Sequence, residues 1–186
     1  AAQLLFEAPP ATIADLLQAA LDHATVADCA QTVGTMQAAF DITLEYTRTR
    51  KQFGHAIADN QVVQHRLVDL AVEIAEARAL TRAAADMLGR TLPVRAAARQ
   101  RMVAAARSCV ATAARLVWQD VVQLHGAIGM TQEYVVGAFV QRLALACTWF
   151  GSATMQLERL AALTLDNLAL PHDTAPPSTL PREATP

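Results

Sequence analysis

The sequence predicts an all-α, antiparallel up-and-down helical bundle, and three observations carry that prediction. Proline occurs at positions 9, 10 and 93 and then only from Pro171 onward, so residues 11–92 and 94–170 are free of it. Within both stretches, apolar residues recur at the three- and four-residue spacing of a helix face. Glycine or positive charge marks the end of each pattern, as is typical of helix C-termini.

The first two helices are bounded by charge and glycine. A helix over about 12–50 ends in three basic residues ahead of Gly54, and positive charge in a last turn is favoured by the helix dipole. A second helix ends at Gly89 and has one apolar face, formed by Val63, Leu67, Leu70, Ile74, Ala77, Ala84 and Leu88. Both segments are therefore predicted to be long amphipathic helices.

The remaining helices follow Pro93, a residue that suits a first helical turn. A third long helix runs to Gly126 and has its own apolar face, formed by Met102, Ala105, Cys109, Ala113, Val117, Val121 and Leu124. Segments 134–147 and 152–168 are read as two shorter helices separated by Gly151. Helices of these lengths, joined by short loops and rich in alanine, pack as an antiparallel bundle.

Length and composition predict one domain. The chain has 186 residues, 53% of them hydrophobic and 17% charged, which suits a single core. The bundle is assigned to residues 12–169. Residues 1–11 are interpreted as a linker from a missing upstream region, since the chain opens on alanine, and residues 170–186, with five prolines, are expected to be disordered.

Composition also excludes several classes of protein. No apolar stretch approaches the roughly 18 residues of a membrane span, and no secretory signal opens the sequence, so we expect a cytoplasmic protein. A net charge of −2 with dispersed basic residues argues against a nucleic-acid partner. Cys29, Cys109 and Cys147 stand far apart in apolar contexts, which favours reduced structural thiols over a disulfide or metal site.

Two segments carry candidate binding residues. Segment 50–54 reads Arg-Lys-Gln-Phe-Gly and is followed by Ile57 and Gln61; segment 123–130 reads Gln-Leu-His-Gly-Ala-Ile-Gly-Met. A basic helix end with a glycine stop explains the first segment by itself. A guanidinium beside exposed glycine-rich backbone and an amide side chain also suits a pyrophosphate. Spacing alone leaves both interpretations open.

Together these motifs resemble the C-terminal domain of the acyl-CoA dehydrogenase family, over about residues 12–168. The resemblance implies a bundle that forms the subunit interface of a tetramer and binds the pyrophosphate of a neighbouring subunit's FAD. Ala127 stands where the family usually has glycine. The implied FAD contacts, which we call the pyrophosphate cradle, are Arg50, Gln52, Phe53, Ile57, Gln61, Gln123, Gly126 and Ala127. Ser152 is a further implied cofactor contact.

The same resemblance exposes a departure. Most family members hold the base that removes the α-proton in a Tyr-Glu-Gly-Thr motif, which falls here on Trp-Phe-Gly-Ser at 149–152 and puts Phe150 in place of the glutamate. A minority place the glutamate on the first helix, at the position of Ala24. A phenyl ring and a methyl group cannot accept a proton. Asp22 agrees with a family residue near the acyl-CoA, and Trp149 and Phe150 form either core or an acyl pocket.

Other candidates have simpler interpretations. A lone histidine in a glycine turn, His125, is expected to be a hydrogen-bonded structural residue. Asp22 and Glu133 are expected to serve as helix caps or surface residues rather than as substitute bases. No spacing typical of a metal site is present.

The resemblance implies an FAD-dependent acyl-CoA dehydrogenase subunit or fragment that catalyses α,β-dehydrogenation of an acyl-CoA thioester, in lipid or steroid degradation. The expected partners are the acyl-CoA, a homologous base-bearing subunit in a homo- or hetero-tetramer, and an electron-transfer acceptor. The alternative is a non-catalytic helical oligomerisation domain that has lost flavin binding. Retention of the cradle residues favours the first interpretation.

Overall fold

The computed structural model describes residues 7, 9–89, 96–131 and 134–168. These residues form the three long and two shorter helices that the sequence predicts, and the all-α bundle is confirmed. The helices are α1 (Pro10–Thr49), α2 (Gln61–Gly89), α3 (Ala96–His125), α4 (Val136–Ala146) and α5 (Ala153–Leu168). Helix α1 starts on a proline, as first turns allow. The domain limits proposed at 12 and 169 stay predictions, and the tail expected at 170–186 lies outside the described residues.

Helix α3 occupies the centre of the bundle and packs against α1, α2, α4 and α5. Its buried face repeats at three- and four-residue spacing through Val103, Val110, Val117 and Val121, with alanines between them. Small side chains let the neighbouring axes come close. The main core cluster also includes Cys29, Met36, Ala39, Leu70, Ile74, Ala77 and Leu143.

The connection between α1 and α2 contains a feature that the sequence analysis did not predict. Strands β1 (Lys51–Gln52) and β2 (His55–Ala56) pair antiparallel, and a 3-10 turn, Ile57–Asp59, leads into α2. Phe53 and Gly54, with φ of 54° and 90°, form the two-residue loop between the strands. Gly54 therefore serves the hairpin, and α1 ends earlier, where Arg50 turns extended with ψ of 119°.

None of the described helices is long and apolar enough to cross a membrane. After α3, a 3-10 turn, Gly126–Met130, leads toward α4. Gly137 at the start of α4 approaches the carbonyl oxygen of Thr131 so closely that an added Cβ would lie 2.6 Å from it. This contact fixes how α4 leaves the turn.

Candidate functional site

The C-terminal ends of α1 and α3 are joined by aromatic contacts. The Tyr46 ring stacks on the His125 ring with centroids 4.4 Å apart, and the Tyr46 hydroxyl donates to the His125 carbonyl oxygen at 3.5 Å. Tyr134 closes the cluster, with its ring centroid 5.4 Å from that of His125. The residues just before the hairpin and just before Gly126 are therefore held together by packing, as a site built from both segments requires.

The hairpin presents its side chains to solvent. Arg50 and Gln52 are exposed, and Phe53 is 97% exposed. A type I′ turn needs positive φ at both central residues and is usually filled by Asn-Gly. A bulky residue in this conformation is a strained outlier, and such strain is concentrated at functional sites. An exposed phenylalanine held there suits a binding surface better than a structural turn.

A groove of about 330 Å³ brings the two cradle segments together. Ile57 and Gln123 both line it, together with Arg66 of α2. Arg66 pairs with Asp120 of α3, which anchors the start of α2 to the end of α3. Gln61 is exposed at the first position of α2.

The glycine turn after α3 exposes backbone next to this groove. Gly126 has φ of 66°, and Gly126 and Ala127 are exposed. Gly129 is buried against His125: a Cβ added there would lie 2.9 Å from the His125 Cβ. The first of the two glycines is therefore available to a ligand, and the second is required by packing.

His125 matches its predicted structural role. The ring is buried, and its Nδ1 lies 2.9 Å from the Val121 carbonyl oxygen. Burial lowers the pKa of His125 below its ordinary value, because the charged form loses solvation. The neutral imidazole is thus the form that the fold favours. Glu133, the other candidate in this region, lies outside the described residues.

Phe150 and Ala24 occupy a second region, away from the groove. Phe150 lies in the turn between α4 and α5, with φ of 53° and 40% exposure, and Ala24 is exposed on α1. Trp149 is half-exposed beside Phe150. Ser152 immediately precedes α5, and its Oγ accepts a hydrogen bond from the Met155 amide at 3.3 Å. The next residue, Ala153, accepts a hydrogen bond from Ser108 of α3, which lies about 22 Å before Gln123 along that helix, so Ser152 is apart from the groove.

The expectation of a helix-cap or surface role for Asp22 is wrong. Its side chain is 1% exposed and accepts a hydrogen bond from Arg99 Nε of α3 at 2.8 Å, while an Arg159 guanidinium nitrogen of α5 lies 3.7 Å away. Gln18 donates to its other oxygen at 2.8 Å. Asp22 therefore joins three helices inside the bundle, and the substrate contact predicted for it stays a prediction that this geometry does not favour.

Arg107 and Asp28 are functional candidates that the sequence analysis missed. Arg107 of α3 is completely buried and donates to the carbonyl oxygens of Ala146 and Trp149, at the end of α4. Asp28 of α1 lies 4.0 Å from its Nη1. Burial raises the pKa of Asp28, against the opposing effect of Arg107 and Arg142. A charged residue on the apolar face of α3, four residues after Val103, was the available signal.

The three cysteines are free thiols: Cys29 is buried, and Cys109 and Cys147 are partly buried. The described residues contain no group of three or more metal-ligating side chains. Burial raises the pKa of the Cys29 thiol to about 12 and that of Cys109 to about 11. Both thiols are therefore protonated at neutral pH and poor nucleophiles.

Comparisons with known proteins identify the same family as the motifs. Residues 14–165 match the family described as acyl-CoA dehydrogenase, C-terminal domain. The probable acyl-CoA dehydrogenase FadE25 of Mycobacterium tuberculosis is 35% identical over 143 residues, which cover 76% of this chain and 35% of the relative.

Two solved structures extend the comparison. The ChsE4-ChsE5 complex from Mycobacterium tuberculosis superposes with a TM-score of 0.74 at 25% identity, over 78% of this chain and 38% of that one. The steroid acyl-CoA dehydrogenase Tcur3481-Tcur3483, as its G363A variant, gives 0.71 at 27% identity, over 81% of this chain and 40% of that one. The chain thus spans between a third and two fifths of the length of these proteins.

Proposed function

The chain belongs to the acyl-CoA dehydrogenase family, whose C-terminal domain it carries, and we propose that it is a subunit or fragment of an FAD-dependent acyl-CoA dehydrogenase. In this proposal it contributes its bundle and the pyrophosphate cradle to a neighbouring subunit and has no catalytic base of its own. The observation that carries the proposal is the groove that Ile57 and Gln123 line together, since the family resemblance implies both as cradle residues and they lie 66 positions apart in the sequence.

The residues of the cradle fit the pyrophosphate of FAD. Arg50 is exposed, and among the described residues no carboxylate pairs with it, so its guanidinium is available for a charge-assisted bond. Gly126 exposes backbone without a Cβ, and Gln123 adds an amide. Bound FAD supplies the acceptor for the hydride removed from the acyl chain. The chain's part is to hold that cofactor in place.

Helix geometry supports a cradle that serves a neighbour's cofactor. At 1.5 Å per residue, Ala24 and Arg50 lie roughly 39 Å apart along the axis of α1. Arg107, which binds the carbonyl of Trp149, likewise lies about 24 Å from Gln123 along α3. A reacting centre beside Ala24 or Phe150 is therefore distant from the cradle of the same chain. Two such bundles in an oligomer place one chain's cradle beside the other chain's chemistry.

The absence of a base supports a partner that provides one. Removal of an α-proton needs a carboxylate within hydrogen-bond reach, and Phe150 and Ala24 have none. Asp22, on the same helix, is occupied by two arginines. Two of the structural relatives are named as pairs of proteins, ChsE4-ChsE5 and Tcur3481-Tcur3483. We therefore favour a heteromeric complex that acts on an acyl-CoA of lipid or steroid origin and passes electrons to an electron-transfer acceptor.

Reconstitution tests this function. The full-length gene product that contains this chain is purified with FAD alone or with a homologous subunit that carries Tyr-Glu-Gly-Thr, and acyl-CoA turnover is measured with an artificial acceptor. The chain without the partner is expected to be slower by about 10² to 10⁴, the usual contribution of a general base. Ordinary dehydrogenase rates from the homo-oligomer would refute the missing base.

Substitution at the turn gives the converse test. Phe150→Glu supplies a carboxylate and is expected to raise the rate of the chain without the partner, although its apolar neighbours raise the carboxyl pKa and limit the gain. Phe150→Gln is the matched control, with nearly the same shape and no base. Equal rates for the two variants would show that position 150 is not a site for the base.

A non-catalytic oligomerisation domain is the second candidate function. The exposed apolar side chains Leu16, Leu17 and Leu21 near the start of α1 favour it, because such residues are typical of interaction surfaces. A stable complex with the partner that contains no flavin would support this candidate over the dehydrogenase subunit.

A further inference from the structure

The turn between α4 and α5, residues 147–152, is held in a strained conformation. Phe150 has φ of 53° and precedes Gly151, with φ of 92°. A left-handed phenylalanine persists only where the surrounding structure enforces it. Something other than the local sequence must therefore hold this turn.

Arg107 makes the contacts that do so. Its Nη2 donates to the carbonyl oxygens of Ala146, the last residue of α4, and of Trp149. The last carbonyls of a helix have no partner within the helix, and a cation is favoured beside them. A guanidinium with no exposed surface is costly unless it satisfies such groups.

Asp28 is a weak counter-charge to this guanidinium. The closest approach, Nη1 to Oδ2, is 4.0 Å. Among the described residues, Asp28 Oδ2 and Arg107 Nε and Nη1 have no hydrogen-bond partner. The guanidinium is therefore directed at the turn, and the ion pair with α1 is secondary.

Helix α5 holds the other side of the same turn. The Gln156 side-chain amide donates to the Phe150 carbonyl oxygen. Gly151 packs on that amide so closely that an added Cβ would lie 2.8 Å from its nitrogen. Arg107 and Gln156 thus bind carbonyls of two successive residues, Trp149 and Phe150.

We propose that Arg107 is the positioning residue of the α4–α5 turn: by binding the carbonyls of Ala146 and Trp149 it sets where the rings of Trp149 and Phe150 lie. Those rings occupy the side of the bundle at which the proposed function puts its pocket. That the position of these rings matters for flavin or substrate rests on the proposed function. That Arg107 sets their position rests on the hydrogen bonds alone.

Amide hydrogen exchange in the full chain tests the positioning. Arg107→Met keeps most of the side-chain volume and loses the donors, and Arg107→Lys restores a cation that can bind the same carbonyls. Arg115→Met, an exposed site on the same helix, is the matched control. Exchange at residues 147–152 is expected to accelerate at least tenfold in Arg107→Met relative to the α3 core, and to stay within threefold of the parent in Arg107→Lys.

Trp149 provides a spectroscopic check. In a Trp118→Phe background it is the remaining tryptophan of the two in the chain. Its fluorescence anisotropy is expected to fall in Arg107→Met and to recover in Arg107→Lys. Equal acceleration of all segments in both variants, or an unchanged turn in Arg107→Met, would overturn the proposal. If Arg107→Met does not fold, Arg107→Lys decides: acceleration that is equal in the turn and in the α3 core would overturn the proposal.

Flavin content of the complex with the base-bearing partner separates this inference from the proposed function. Arg107→Met is expected to hold at least threefold less FAD than Arg115→Met. If the two variants hold equal amounts of FAD although the turn of Arg107→Met is loosened, the position of the Trp149 and Phe150 rings does not matter for flavin binding. A parent complex without FAD would overturn the proposed function, and the exchange measurement would still decide the role of Arg107.

Discussion

Two Phe-Gly turns in this chain have the same backbone conformation and opposite surroundings. Phe53-Gly54 has φ of 54° and 90°, and Phe150-Gly151 has φ of 53° and 92°. The first pair lies at the tip of the hairpin, where Phe53 is almost fully exposed. The second is held by two hydrogen bonds to its backbone, from buried Arg107 of α3 to the Trp149 carbonyl oxygen and from Gln156 of α5 to the Phe150 carbonyl oxygen.

The two turns show two ways in which a protein can hold a phenylalanine in the strained left-handed conformation. In the hairpin, four backbone residues of β1 and β2 fix the turn locally, so the side chain is left free to bind something else. In the α4–α5 turn, long-range contacts from α3 and α5 fix the backbone, so the position of Phe150 depends on the whole bundle. Substitutions in the first region should therefore affect ligand binding, and those in the second should affect the fold as well.

The largest expected effect is on the buried carboxylate of Asp22, which joins α1 to α3 and α5 as Arg107 joins α3 to the turn. Asp22→Ala removes the carboxylate that Arg99 and Arg159 share and should lower the free energy of unfolding by about 2–3 kcal/mol, because both arginines are partly exposed and regain some solvation. Asp15→Ala, at an exposed site on the same helix, should change it by less than about 0.5 kcal/mol. Urea unfolding of both variants measures the difference, and a stable Asp22→Ala with impaired acyl-CoA binding would instead favour a substrate contact.

The next effect concerns binding at the hairpin. Arg50→Ala should lower the affinity of the assembled enzyme for FAD about ten- to hundredfold, since a charge-assisted bond contributes roughly 1.5–3 kcal/mol. Stability should change little, because Arg50 is exposed. Arg48→Ala, an equally exposed arginine one residue before the end of α1, is the control. If Arg50→Ala and Arg48→Ala retain FAD equally well, Arg50 is not a cofactor contact.

A smaller effect tests the junction between α1 and α3. The pKa of buried His125 is lowered from its ordinary value of 6.5, so the unfolded chain takes up a proton before the folded one does. The resulting stability is fully present above pH 6.5 and is lost as the pH falls through the lowered pKa. Between pH 7.5 and 5.5 the parent should lose more free energy of unfolding than His125→Phe, which has no group that titrates at this position. Parallel pH profiles of unfolding would contradict this.

The sequence predicted regular structure well and buried polar contacts poorly. Proline placement and apolar spacing located all five helices, because both act through local backbone geometry. The hairpin was missed since Phe53 replaces the asparagine typical of its turn. Asp22 and Arg107 were misjudged or missed because their partners lie far along the chain, at Arg99 and Trp149. The meeting of Ile57 with Gln123 needed the structure, whereas the family resemblance had already named both residues.

The smallest expected effect comes from a substitution in the hairpin turn. It distinguishes the two Phe-Gly turns most clearly, because ligand binding and stability should change in opposite directions there. Phe53→Asn places in the left-handed position the residue that type I′ turns prefer. Relief of strain should raise the free energy of unfolding by about 0.5–1 kcal/mol, since an exposed ring loses no packing. FAD retention in the complex should fall at the same time, if the ring is kept for contact with a neighbour's cofactor. Phe150→Asn is the control for the stability measurement. Its free energy of unfolding should not rise in the same way, because Arg107 and Gln156 already fix the backbone there. Lower stability of Phe53→Asn would mean that the ring supports the hairpin, and the binding role would lose its main structural argument.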